Sequence, residues 1–164
     1  MRNSSLRYGL YAAITGFAAF GLSLFLGASQ VLGYIAIFIA LSFVYLGIKY
    51  FRDAENNGKL HFKKALTLGM LITLLAAVGI AIMDGLYVTV FNPNFFQEYG
   101  QIGLEQAQQT GNADAITTAQ EQIDQYAAMS KIQLGLFSGG FMFVLVTVIG
   151  LIVSIISGLI LKKE

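Results

Sequence analysis

Four apolar stretches, each long enough to cross a bilayer core as a helix, leave this chain very few ways to fold. A helical crossing needs about 20 residues, and the runs at roughly 8–26, 31–50, 66–91 and 134–161 all reach that length. The second reads VLGYIAIFIALSFVYLGIKY and the fourth LGLFSGGFMFVLVTVIGLIVSIISGLIL. Each is apolar on every face, whereas a helix on the surface of a soluble domain sets an apolar stripe against a polar one. With 164 residues in all, too little polar chain remains to cover four such helices. Charged residues make up only 12%, against about 25% in an average soluble domain. The expected fold class is therefore all-α: an integral membrane four-helix bundle forming a single membrane domain over 1–164.

The first run could be mistaken for a secretory signal, because Arg2 and Arg7 precede it. Leu26 stands where cleavage after Ala28 needs a small residue, and the run exceeds the usual length of a signal core, so it is expected to stay as a span. Gly27-Ala28-Ser29-Gln30 then forms a tight uncharged turn between spans one and two.

Orientation follows from where the cations fall. Nine of the ten Lys and Arg residues lie in three places: Arg2 and Arg7, the island Lys49, Arg52, Lys59, Lys63 and Lys64, and Lys162 with Lys163. Only Lys131 belongs to the other side, and Leu60 and Phe62 within the island are expected to be held at the interface. Cytoplasmic loops carry the excess of Lys and Arg, so both termini and the island are expected in the cytoplasm and the loop at about 92–133 outside.

That loop is polar but patterned. Pro93 suits the first turn of a helix, and Phe95, Phe96, Tyr99 and Ile102 lie close to one face of the segment that follows. Thr110-Gly111-Asn112 marks a stop and a new N-cap. Ile116, Ala119, Ile123 and Tyr126 then recur every three or four residues, the spacing of an amphipathic helix. An extracytoplasmic helical hairpin between spans three and four is expected, packed on itself or lying on the outer surface, as a spacer closing the bundle or a docking surface for a partner or ligand. Its acidic residues, Glu98, Glu105, Asp114, Glu121 and Asp124, oppose binding to anionic lipid heads.

Chemistry-bearing residues are sparse. Asp84 is the one acidic residue inside a span. Such a carboxylate is costly in a bilayer and marks a functional candidate. It lies about seven residues, or about 10 Å, short of the end of its run, so structural pairing with Tyr87, Tyr34 or nearby hydroxyls competes with ion or proton handling. His61 stands alone where a metal site needs several ligands. With no cysteine there is neither a disulfide nor a thiolate site. No nucleophile elbow, P-loop or zinc-protease helix occurs, and a net charge of +1 gives no nucleic-acid footprint. No catalytic, cofactor or metal residue is assigned, and the chain is not expected to be an enzyme. Small residues recur instead: Gly150, Ser154 and Gly158; Gly135 and Gly139; Ala12 and Gly16; Ala36 and Ala40; Thr73, Ala77 and Ala81. They let helix backbones approach where lipid removes the hydrophobic drive to associate. Ser138, Ser154 and Ser157 are read in the same way, as packing residues.

The island is also where a family resemblance enters. Gly47-Ile48-Lys49, Arg52-Asp53, Asn57-Gly58, then Phe62, Ala65 and Gly69 resemble the central signature of a small bacterial membrane family, domain-of-unknown-function family 4199, common in Bacteroidota. Leu6-Arg7-Tyr8-Gly9-Leu10, the Asn-Pro after the third span and the closing Ser154-Ile155-Ile156-Ser157-Gly158-Leu159-Ile160-Leu161-Lys162-Lys163 agree with it, so the resemblance covers nearly the whole chain. Gly85-Leu86 stands where bulkier aromatics are expected. The resemblance implies an inner-membrane protein with no established activity and carries over no catalytic residue. Beside the lipid bilayer, a membrane-protein partner or a second copy of the chain is expected. The function expected first is a non-enzymatic accessory or scaffold, with Lys49, Arg52, Asp53, Lys59, Lys63 and Lys64 fixing topology and offering a partner contact. The alternative is a small transporter or lipid-handling protein using Asp84.

Overall fold

The computed structural model of the chain describes residues 2–27 and 30–163, and among them it contains helices and no strand. In chain order they are α1 (Arg2–Phe25), α2 (Gln30–Tyr50), a π-helical turn (Phe51–Glu55), α3 (Phe62–Leu86), a second π-helical turn (Tyr87–Phe91), α4 (Phe95–Thr110), α5 (Ala113–Ala128) and α6 (Lys131–Leu161). Four segments are long and apolar enough to cross a membrane: Asn3–Phe25, Val31–Glu55, Phe62–Phe91 and Lys131–Leu161. The single proline, Pro93, falls between helices, where its missing N–H breaks no ladder. The turn expected at 27–30 includes Ala28 and Ser29, which lie outside the described residues. α3 begins four residues before the expected apolar boundary at 66. The backbone carbonyl of His61 accepts the N–H groups of Lys64 and Ala65 at 3.0 and 3.1 Å, so polar residues build its first turn.

The residues gather into two compact units. The larger comprises Met1–Asp84 and Gly139–Glu164. Its core takes Ala12 and Phe20 from α1, Ile37 and Leu41 from α2, Ile72 and Ile80 from α3, and Val146 from α6. The small faces foreseen in the sequence meet here. Gly16 lies against Ala40 and Ile80, Gly150 against Thr73, and Gly69 against Ser154. At Gly79 a side chain would collide with the backbone of Ala13, so α1 and α3 touch main chain to main chain. Packing of this kind gains dispersion contacts at every atom that approaches. Ser154 answers its own hydroxyl by donating to the Gly150 carbonyl at 2.7 Å. The outward faces are apolar instead of charged: Ile14 is 67%, Phe38 57% and Val144 60% exposed. Contiguous apolar surface of this kind is foreign to a water-soluble monomer.

The smaller unit is Gly85–Ser138. Val88, Phe96 and Leu134 form its core, with Tyr87, Phe95, Tyr126 and Met129 packed around it. The π-helical turn closes when Asn92 N–H donates to the Tyr87 carbonyl, five residues back, at 2.7 Å. α4 ends on left-handed Gly111, and the Asn112 side chain caps α5 by accepting from the N–H groups of Asp114 and Ala115 at 3.0 and 3.4 Å. The stripe Ile116, Ala119, Ile123, Tyr126 is the half-buried face of α5, as its spacing predicts. In α4 the expected single face splits in two. Phe96, Gly100 and Ala107 are buried, while Tyr99 and Ile102 are exposed. Neighbours such as Phe95 and Phe96 point about 100° apart on a helix, and only the second points at α5.

Candidate functional site

The island between α2 and α3 carries most of the charge that the sequence marks out, and the structure gives it a fixed shape. α2 runs into the π-helical turn at Phe51, whose ring is buried with the Lys64 Nζ 5.6 Å from its centroid. Arg52 forks onto its neighbour: Nε lies 2.6 Å from Asp53 Oδ1, and a terminal nitrogen 3.2 Å from Oδ2. Its other terminal nitrogen reaches towards the Leu161 carbonyl at 3.5 Å. That carbonyl belongs to the last turn of α6, which lacks intrahelical donors and favours a cation. The chain then reverses. Asn57 and Gly58 both take left-handed backbone, with φ of 53° and 78°, a conformation that glycine and asparagine enter with least strain. Gly58 N–H closes the turn on the Arg52 carbonyl at 2.8 Å, and the Asn56 side chain donates to the Lys59 carbonyl.

The next link is to the end of the chain. Leu60 and Lys163 exchange backbone hydrogen bonds, Leu60 N–H to Lys163 oxygen at 2.6 Å and Lys163 N–H to Leu60 oxygen at 2.9 Å. Leu60 is expected at an interface by its place in the turn, yet it is fully buried. The exchange of bonds holds its backbone against Lys163, and its side chain joins the core cluster that includes Leu161. Phe62, two residues on, lies against Gly158.

The amino-terminal segment reaches the same place. Tyr8 packs on Gly47, and its ring centroid is 5.5 Å from that of Tyr50. The Arg7 guanidinium sits between two tyrosines, 5.8 Å from the Tyr11 ring and 5.7 Å from the Tyr50 ring, and its Nε donates to the Tyr11 hydroxyl at 3.2 Å. Aromatic faces attract such a cation even at an exposed position like that of Arg7.

One end of the larger unit therefore collects Arg7, Lys49, Arg52, Lys59, Lys63, Lys64 and the Lys162-Lys163 pair. Asp53 is there too, already occupied by Arg52. Lys49, Lys59, Lys63, Lys64, Lys162 and Lys163 are exposed, and His61, Lys63, Lys64 and Thr67 line a shallow open cleft. Chemically this is an anion-attracting platform on a rigid frame.

Asp84 lies elsewhere. It is buried in the last turn of α3 and is held in an interaction within the protein. Among the described residues, no three His, Asp or Glu side chains gather into a cation site.

Reading the sequence alone missed three features. The two π-helical turns leave no composition signal, because they differ from α-helix by one residue per turn. The Leu60–Lys163 pairing joins segments a hundred residues apart. The Arg7 cage did have a signal, since Tyr11 follows Arg7 at the four-residue spacing that brings side chains together on a helix.

Comparison with known proteins gives one match. A family model described as "Protein of unknown function (DUF4199)" matches residues 7–163, nearly the whole chain and the family that the island resembles. No curated protein and no solved structure matches the chain.

Proposed function

The chain belongs to the DUF4199 family, and from that premise we propose that it is a non-enzymatic accessory protein of the bacterial cytoplasmic membrane, whose basic end is a platform for another membrane component. In this reading the four apolar segments are inserted as spans, both termini and the island face the cytoplasm, and the α4–α5 pair lies outside. The observation that carries the reading is the convergence of three cationic segments, distant in sequence, on one end of the larger unit. Topology alone needs only positive charge on the cytoplasmic side. It does not need Arg52 locked onto Asp53, Lys163 paired with Leu60, or Arg7 held between tyrosines. A fixed arrangement of exposed cations is what a partner or a lipid head recognises, and each is worth about 1 kcal/mol against an anionic membrane surface.

The test is a crosslinking map in native membranes followed by copurification in mild detergent. A defined neighbour is expected, retained by the parent chain and lost when Arg52 and Asp53 are both replaced by alanine. Recovery of the parent as a bare single chain contradicts the accessory role. Retention of every neighbour by the double variant contradicts the role of the island.

A second reading, a small transporter or lipid-handling protein, rests on Asp84, a buried carboxylate inside a helix apolar enough to span a bilayer. Its expected signature is a transport or proton-coupling defect in Asp84→Asn with folding retained. Unchanged function and folding in that variant would remove it.

A further inference from the structure

We propose that α4 is a lipid-interfacial helix, with Phe95, Tyr99 and Ile102 embedded in the outer headgroup boundary of the bilayer. The proposal rests on the membrane-inserted reading above and goes beyond it by assigning an occupant to an uncovered face.

α4 carries two apolar stripes. One is used: Phe96 is buried with its ring 4.7 Å from that of Tyr126, and Gly100 lies against Ile123 of α5. The other is covered only at its start, where Phe95 is half-buried with its ring 6.0 Å from that of Tyr87. Phe95, Tyr99 and Ile102 follow the spacing of one helix face, and Tyr99 and Ile102 are 58% and 53% exposed. The Phe95 and Tyr99 ring centroids are 6.2 Å apart with 15° between their planes, so the two rings adjoin along the stripe. α5 differs. Outside its half-buried stripe it presents Thr117, Thr118, Gln120, Glu121 and Asp124, a face suited to water.

Depth identifies the occupant. Phe96 is buried together with Val88 and Leu134, and both of those belong to segments apolar enough to span. Three residues separate Phe91, the end of one such segment, from Phe95, so the two Cα atoms are at most about 14 Å apart. α4 therefore starts within about 14 Å of the end of that segment. The adjoining surface of the same unit is apolar too: Val90 is 63% and Phe91 55% exposed. Aromatic residues near the ends of spans form the belts found at membrane boundaries. Glu98 and Glu105 are the only charges on α4, so attachment comes from apolar insertion and needs no anionic lipid.

The chain has no tryptophan, so one substitution supplies a unique probe. Tyr99→Trp, Ile102→Trp, Gln120→Trp and Phe38→Trp are each reconstituted in phosphatidylcholine vesicles brominated either near the head or near the end of the acyl chains. Phe38 lies on the outward face of α2 and reports insertion itself. The expected result is strong quenching of Phe38→Trp, blue-shifted emission of Tyr99→Trp and Ile102→Trp quenched more by shallow bromines than by deep ones, and unquenched emission of Gln120→Trp. Unquenched Tyr99→Trp and Ile102→Trp beside quenched Phe38→Trp overturn the proposal and leave the membrane reading standing. The same holds if their emission is blue-shifted but unquenched, since another protein surface then covers the strip, or if deep bromines quench them more. Unquenched Phe38→Trp overturns both.

Discussion

The basic island and the α4–α5 pair both connect apolar helices, yet they are held in opposite ways. The island is short and is fixed by backbone: the Asn57-Gly58 reversal, the Arg52 carbonyl taking the Gly58 N–H, and the two bonds between Leu60 and Lys163. The α4–α5 pair is long and is held by side chains, chiefly Phe96 on Tyr126 and Ile123 against Gly100, with one cap at Asn112. Backbone ties fix exposed cations in place without spending apolar side chains on the surface. Side-chain ties leave a second stripe free to meet something else. The contrast teaches that a charged turn can be tied down by main-chain bonds, while an amphipathic connection is held through one apolar stripe and keeps a second exposed.

Substitutions sharpen that contrast by size of effect. The largest is expected in the core of the larger unit, at Gly79→Leu, where α1 and α3 touch. A side chain there meets the backbone of Ala13, which cannot rotate aside. Overpacking of this kind costs about 3 kcal/mol or more, and loss of a monodisperse chain in mild detergent is the expected readout. Next is Leu60→Ala, which empties a fully buried position at the junction with Lys163 and costs about 3 kcal/mol. Thermal unfolding in detergent measures it. If Leu60→Ala is neutral, the island is not clamped. The smallest is Asn112→Ala in the α4–α5 pair, where loss of a cap to Asp114 and Ala115 costs about 1 kcal/mol. Hydrogen exchange confined to α5 would register it, and exchange spreading to the island would contradict the separation of the two regions.

Much of this was legible in the sequence because each signal was local. Apolar length gave the four long helices, Gly111-Asn112 gave the break between α4 and α5, and the Ile116 to Tyr126 spacing gave the half-buried face of α5. The small residues Gly16, Ala40, Thr73, Gly150 and Ser154 stood at contact positions. What escaped was relational. Leu60 read as an interfacial residue because its neighbours Lys59 and His61 are polar, and only its pairing with Lys163 explains its burial. Phe95 and Phe96 read as one face because both are aromatic, and only contact with α5 separates them. The charges of the island were visible one by one. Their meeting with Arg7 and Lys163 depends on how helices far apart in the chain pack.

The central claim is that the clamped basic end is cytoplasmic and the α4–α5 pair is not. Because the chain has no cysteine, single-cysteine variants at Lys59 and Gln120, both exposed, report it directly with a membrane-impermeant maleimide. The expected result is labelling of Gln120→Cys in cells whose cytoplasmic membrane is intact, and labelling of Lys59→Cys only after that membrane is opened. Labelling of Lys59→Cys from outside, with Gln120→Cys protected, would contradict the claim.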